Sequence, residues 1–161
     1  MVGVGGCLPA RLVSNDELAK TVDTSDEWIQ QRTGIKQRYL VEDERTSDLA
    51  VGAAKEALEH AGFSADDIDI IVLATTTPND TFPSTASIVQ KELGAFNAFA
   101  FDVQAVCAGF VYALGVAESL LKIGQGKKAL VIGAESFSKL LDWDDRTTCV
   151  LFGDGSGAVI L

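Results

Sequence analysis

Cys107-Ala-Gly-Phe-Val-Tyr-Ala-Leu-Gly-Val-Ala117 runs for eleven residues without a charge, and Glu118 is the first charged side chain after it. A helix on the surface of a globular protein carries one polar face, and this stretch has none. It is too short to cross a bilayer, which takes roughly 20 apolar residues. It therefore reads as a helix enclosed by protein on every side. One sheet covers one flank of a helix. At about 25 cal/mol per Å², a few hundred Å² of apolar surface left in water would cost roughly several kcal/mol, comparable to the net stability of a domain. A second layer of sheet and helix is expected over the exposed flank, and the rest of the sequence offers no segments from which to build it.

Working outward, Ala98–Val103 reads as a strand leading into that helix, which starts near Cys107. The β-branched run Ile68–Ala74 fits a strand buried on both faces. A helix is expected from about Ser84 to Leu93, and Ala129–Gly133 as a further strand. Cys149–Phe152 and Ala158–Leu161, separated by Gly-Asp-Gly-Ser-Gly, read as a hairpin with a glycine-rich turn. Near the start, Val2–Gly5 reads as the end of a short strand. Ser14-Asn-Asp-Glu17 has the form of a capping box. Ser25 caps a second short helix that Gly34 stops, and Thr46 or Ser47 caps a longer one that Gly62 stops. Strands alternating with helices and closing in antiparallel strands give an α/β fold with a mixed sheet.

The chain has 161 residues, 47% of them apolar and 22% charged, so it is a folded globular chain rather than a disordered one. Thirteen basic residues against twenty-three acidic ones leave a net charge of −10, which opposes nucleic acid and anionic lipid as partners. No secretory signal or membrane span is recognisable, so a cytoplasmic protein is expected. Cys7, Cys107 and Cys149 form no C-x-x-C pair, and His60 is the only histidine, so neither a metal site nor a disulfide framework is indicated.

Cys107 stands where strand gives way to helix. Helix starts carry partial positive charge and free amides, which favour thiolate over thiol, and the thiolate is the nucleophile. An acyl-accepting cysteine would be placed there. The competing reading is a small buried hydrophobe, as for Cys7 and Cys149.

Four collinear segments carry a family resemblance: Ser25-Asp-Glu-Trp-Ile-Gln-Gln-Arg-Thr-Gly-Ile35; Thr75-Thr-Thr-Pro78 with Phe82-Pro-Ser84; Asp102-Val-Gln-Ala-Val-Cys-Ala-Gly-Phe110; and Asp142-Trp-Asp-Asp-Arg146 continuing through Gly153-Asp-Gly-Ser-Gly-Ala158. Together they cover essentially the whole chain, which resembles the N-terminal half of a β-ketoacyl-acyl carrier protein synthase III of the thiolase superfamily. The resemblance implies one half of a five-layered αβαβα fold, with residues 1–161 as its N-terminal domain and the C-terminal half absent. It also implies an enzyme that takes an acyl group from coenzyme A and joins it to malonyl-acyl carrier protein, starting type II fatty acid synthesis. Coenzyme A thioester is then a substrate, and no separate cofactor is implied.

By the same resemblance Cys107 is the nucleophile, while Thr24, Trp28, Arg32 and Arg146 contact the coenzyme A nucleotide. An indole and guanidinium groups suit a purine and its phosphates. Phe82 reaches across a homodimer interface to limit the partner's acyl pocket. Family members also use a histidine and an asparagine from their second half. His60 does not replace them, because it sits in the last turn of a helix, where histidines meet terminal carbonyls. This chain alone is thus expected to hold the acylation half of a site and to be inactive in condensation. Rival readings are a related condensing enzyme, of the polyketide-priming or 3-hydroxy-3-methylglutaryl-coenzyme A synthase type, and a non-catalytic coenzyme A-binding or dimerisation module.

Other groups have plainer readings. Asp102, Asp144 and Asp145 suit strand ends and loops better than acid–base work. Arg32, Lys36 and Arg38 are either solvated surface or phosphate contacts. Phe110 and Tyr112 are expected in the core, near the acyl pocket wall. The isolated segment is expected to be marginally soluble.

Overall fold

The computed structural model describes residues 1–161. The chain forms β1 (Gly3–Cys7), β2 (Arg11–Ser14), α1 (Asn15–Leu18), α2 (Asp26–Thr33), β3 (Gln37–Leu40), α3 (Thr46–Ala61), β4 (Ile70–Ala74), α4 (Thr85–Leu93), β5 (Phe99–Val103), α5 (Gly109–Lys122), β6 (Ala129–Glu135) and β7 (Gly155–Ile160). Five strands make a mixed sheet in the order β1-β7-β6-β4-β5. β4 is parallel to β5 and β6, while β7 runs antiparallel to β6 and β1. No helix is long and apolar enough to cross a membrane.

Alternation along β4 sorts the two faces of the sheet. Ile71 and Leu73 join an apolar cluster with α3 and α4, whereas Ile70, Val72 and Ala74 join one with α5. The α3 face is built from small residues, Ala50, Ala53, Ala54 and Ala57, all fully buried. They let the helix settle onto β1 so closely that a Cβ on Gly5 would collide with the α3 backbone at Ala53. The glycines of the first strand are therefore a packing requirement.

The mixed sheet, the helices and their order match the sequence expectation, with four corrections. First, Cys149–Leu151 is a 3₁₀ turn and not a strand, so there is no hairpin. Both edges of β7 are already filled, by β6 and β1. Cys149 and Val150 instead enter a third apolar cluster with Val13, Leu18, Ile29 and Leu40. Second, α5 begins at Gly109, two residues after Cys107, because Val106 takes φ +48° and the chain passes through a 3₁₀ turn first. Third, α5 is covered on one flank only. Ala113 and Ala117 are fully buried against the sheet, while Val111 is 64% and Tyr112 59% exposed, so Tyr112 is not a core residue. The layer expected over that flank is not formed by these residues.

Fourth, the caps differ in detail. Arg45, and neither Thr46 nor Ser47, precedes α3 as its cap residue, with its amide bound to Asp48 Oδ2 at 2.8 Å. Thr46 turns inward to Thr77 O at 2.6 Å and Ser136 Oγ at 2.9 Å. Only half of the capping box at α1 forms: Ser14 Oγ accepts from Glu17 N, while the Glu17 carboxylate pairs with Arg11 at 3.1 Å. The two-stranded sheet of β2 and β3 carries no strong strand signal in the sequence.

Candidate active site

Cys107 is exposed at the C-terminal ends of the parallel strands β4 and β6, the edge of an α/β sheet where ligands bind. Three residues, Gln104 to Val106, carry the chain there from the end of β5. Val106 is the only non-glycine residue with positive φ, and it is β-branched, a conformation that costs of order 1–3 kcal/mol. Such strain persists only where surrounding contacts impose it. The positive end of the fourteen-residue α5 begins two residues after the sulfur.

Beside Cys107 lies a cavity of about 260 Å³ bordered by Ala74, Phe110, Gly133, Glu135 and Gly155–Gly157. Gly133 of β6 and Gly157 of β7, paired in the strand register, leave room there by contributing no side chain. Phe110, half-buried, forms one wall. The other two thiols are held back from reaction. Burial pushes the Cys149 thiol up, with Asp145 adding to it, and burial likewise raises the half-buried Cys7, helped by Glu56 and Glu44.

The expected nucleotide-contacting residues assemble at α2. Ser25 Oγ accepts from Trp28 N at 3.1 Å to open the helix, and Gly34 closes it in the left-handed region. One helical turn puts Arg32 over Trp28, with its guanidinium carbon 4.2 Å from the ring centroid. Arg146, from the far end of the chain, lies 4.7 Å from the same ring and is oriented by Asp23 Oδ2 at 2.9 Å. Thr24 sits just before the helix, and its Oγ1 is buried without a hydrogen-bond partner. An indole with two guanidinium groups beside it can accept a flat heterocycle and an anion together, whereas the buried Thr24 hydroxyl does not face solvent.

The hub beneath α2 escaped the sequence reading. Asn15 Nδ2 donates to Asp26 Oδ1 at 2.9 Å and to Ile35 O at 2.7 Å, while its Oδ1 accepts from Arg38 Nη2 at 2.9 Å. Hydrogen bonds from Asn15 and Gln30 hold the Asp26 carboxyl below the usual carboxylate range. Arg38 is 5% exposed, so it is neither solvated surface nor a phosphate contact. A buried asparagine binding two side chains leaves no periodic trace in a sequence.

The structure unites Trp28, Arg32 and Arg146 but gives Cys107 a cavity that none of them borders. Phe82 stands apart, 82% exposed, in the segment between β4 and α4. The largest recess, about 670 Å³ beside Val13, Leu40 and Trp143, holds none of the expected site residues. The plainer readings of the carboxylates hold: Asp102 caps α4 through Thr85 N at 2.8 Å and Ala86 N at 2.7 Å, and Asp145 organises its own loop through Thr147 and Thr148. His60 does not meet the end of its helix. Its Nδ1 lies 3.2 Å from the amide and carbonyl of Val4, at the outer edge of β1.

Residues 101–161 match the family 3-oxoacyl-[acyl-carrier-protein (ACP)] synthase III. A beta-ketoacyl-[acyl-carrier-protein] synthase III of Ehrlichia canis is 60% identical over all of this chain and 51% of its own length. One from Erythrobacter litoralis is 63% identical over 99% of this chain and 50% of its own. The crystal structure of 3-oxoacyl-[acyl-carrier-protein] synthase III from Aquifex aeolicus superposes with a TM-score of 0.96 at 53% identity, over 99% of this chain and 52% of that one. The chain spans about half the length of the curated relatives it matches, and its mixed-sheet α/β fold is thiolase-like. Sequence and backbone thus agree from end to end in matching about half of a β-ketoacyl-[acyl-carrier-protein] synthase III.

Proposed function

We propose that this chain carries the acylation half of a condensing site that starts type II fatty acid synthesis. The Cys107 sulfur attacks the carbonyl of an acyl-coenzyme A thioester. A carbon–sulfur bond forms to Cys107, the one to coenzyme A breaks, and free coenzyme A leaves with the proton that Cys107 gave up. One thioester replaces another, so no redox partner or resident cofactor takes part. Trp28, Arg32, Arg146 and Thr24 hold the nucleotide of the coenzyme. The acyl group then passes to malonyl-acyl carrier protein, with loss of carbon dioxide, at groups this chain does not contain. Condensation stabilises an enolate, and no residue here can be assigned to that task. Exposed Phe82 supports a homodimer in which it reaches the partner's acyl pocket, and the absence of a spanning helix fits work in the cytoplasm.

The observation that carries this reading is Cys107 itself: exposed, behind a strained residue, at a helix start, beside a glycine-lined cavity. Mass spectrometry after incubation with acetyl-coenzyme A is the test, on the protein as expressed in its own cells. An acetyl adduct on the Cys107 peptide, lost in Cys107→Ser, is expected. Coenzyme A binding without any adduct would reduce the protein to a binding module.

A further inference from the structure

Glu135 ends β6, and its side chain borders the Cys107 cavity. Its carboxylate is fully engaged. Oε1 accepts from Thr76 N at 2.8 Å and Thr76 Oγ1 at 2.9 Å, and Oε2 accepts from Thr77 Oγ1 at 2.6 Å and Thr75 Oγ1 at 3.4 Å. All four donors belong to one turn, the three threonines that leave β4. That turn also holds the end of β5, because Thr75 N donates to Val103 O at 3.2 Å. Val106, with its imposed positive φ, follows three residues later, and then Cys107. Ser136 N donates to Thr77 Oγ1 at 2.9 Å, so the residue after Glu135 closes the ring.

We propose that Glu135 is a positioning residue for acyl transfer at Cys107. By gathering the Thr75–Thr77 turn it fixes the end of β5, and so sets the place from which Val106 presents the sulfur over the cavity. A carboxylate suits the position, since its two oxygens have lone pairs for all four donors. An amide would turn an NH2 onto groups that are already donating. Sulfur and carbonyl must meet within a few tenths of an ångström, and a displacement of about 1 Å costs up to roughly 10²-fold in rate.

The inference rests on acyl transfer at Cys107, so the test reads two reactions of that thiol in the protein as expressed in its own cells. Acylation by acetyl-coenzyme A demands an oriented sulfur, whereas alkylation by iodoacetamide demands only an accessible one. In Glu135→Ala, single-turnover acylation is expected to fall roughly 10- to 100-fold. The concentration of acetyl-coenzyme A giving half-maximal rate, and Cys107 alkylation, are expected to stay within about twofold. Glu135→Gln, which keeps the shape and one oxygen, is expected to lie between the two and to decide the matter if the alanine variant does not fold. Acylation unchanged in a folded variant would overturn the proposal, as would parallel losses of acylation, alkylation and thermal stability. Wild-type protein that alkylates but never acylates would instead refute acyl transfer itself.

Discussion

Arg146 lies over the ring of Trp28, its guanidinium carbon 4.7 Å from the centroid, although one residue precedes β3 and the other follows β6. The pair joins two segments far apart in sequence, and Asp23 Oδ2 holds the arginine at 2.9 Å. Since Arg32 lies 4.2 Å from the same ring, the indole already has cationic planes beside it in the free protein. Trp28→Ala is therefore expected to weaken coenzyme A binding by roughly tenfold to hundredfold, the magnitude of one lost base–aromatic stack. Trp28→Phe should recover most of that. Isothermal titration with coenzyme A checks it, and equal affinities in all three proteins would remove Trp28 from the nucleotide site.

Val106 gives a cleaner separation of geometry from stability. Glycine occupies positive φ without strain but loses more chain entropy on folding, by about 0.5–1 kcal/mol. The relief of about 1–3 kcal/mol matches or exceeds the loss, so Val106→Gly is expected to be as stable in urea as wild type or up to roughly 2.5 kcal/mol more so. The bend before the sulfur would be looser, and acylation of Cys107 should slow. A variant acylating at the wild-type rate would show that the imposed φ has no part in presenting the thiol.

These expectations also mark what the sequence could show. Cys107 was legible because a largely apolar strand segment, Phe99–Val103, precedes it and an eleven-residue run without charge starts at it, and a thiol at that junction is chemically distinctive. Trp28 and Arg32 were placed at the nucleotide site by resemblance, and their spacing of one helical turn on α2 is what brings them together. Arg146 was reachable only by resemblance, since no periodic signal links it to α2. β2 and β3 were missed because each has four residues, with two helices in between, and neither Arg-Leu-Val-Ser nor Gln-Arg-Tyr-Leu alternates cleanly. Glu135 was missed because a glutamate at the end of a strand looks like a solvated one until the threonines of another segment fold onto it. Cys149–Phe152 misled because an apolar run beside a glycine turn has the composition of a strand, and only the filled edges of β7 exclude it.

Acid should expose the hub under α2. Asp26 is held below the usual carboxylate range by Asn15 and Gln30, Asp69 by the amides of Lys127 and Lys128, and Asp145 by Thr147 and Thr148. A carboxyl with a lower pKa folded than unfolded contributes stability above its unfolded value, and that contribution is lost as pH falls through the folded one. Stability is therefore expected to be flat near neutrality and to decline progressively below about pH 4. Asn15→Ala removes the donor to Asp26 and leaves the buried Arg38 with Val150 O as its one remaining partner. It should cost roughly 2–4 kcal/mol at pH 7, and less at low pH, where Asp26 no longer needs its donor. Urea titrations at several pH values check both; a pH-independent difference would mean that Asp26 is uncoupled from Asn15.

The bare flank of α5 sets the last expectation. Val111 and Tyr112 face away from the sheet, next to a helix face whose alanines are fully buried. Nothing within these residues covers them, and apolar surface of that kind drives association. The chain expressed as 161 residues should thus self-associate with rising concentration, and Val111→Lys should make it monomeric without unfolding it, because the new ammonium enters water. Sedimentation across a concentration series measures this. In the protein as expressed in its own cells, the same lysine reports on what covers the flank. If a further layer packs there, burying an unpaired charge costs several kcal/mol and the melting temperature falls sharply. If the substitution is neutral in both contexts, the flank is solvated and the reasoning from the uncharged run Cys107–Ala117 to a second layer fails.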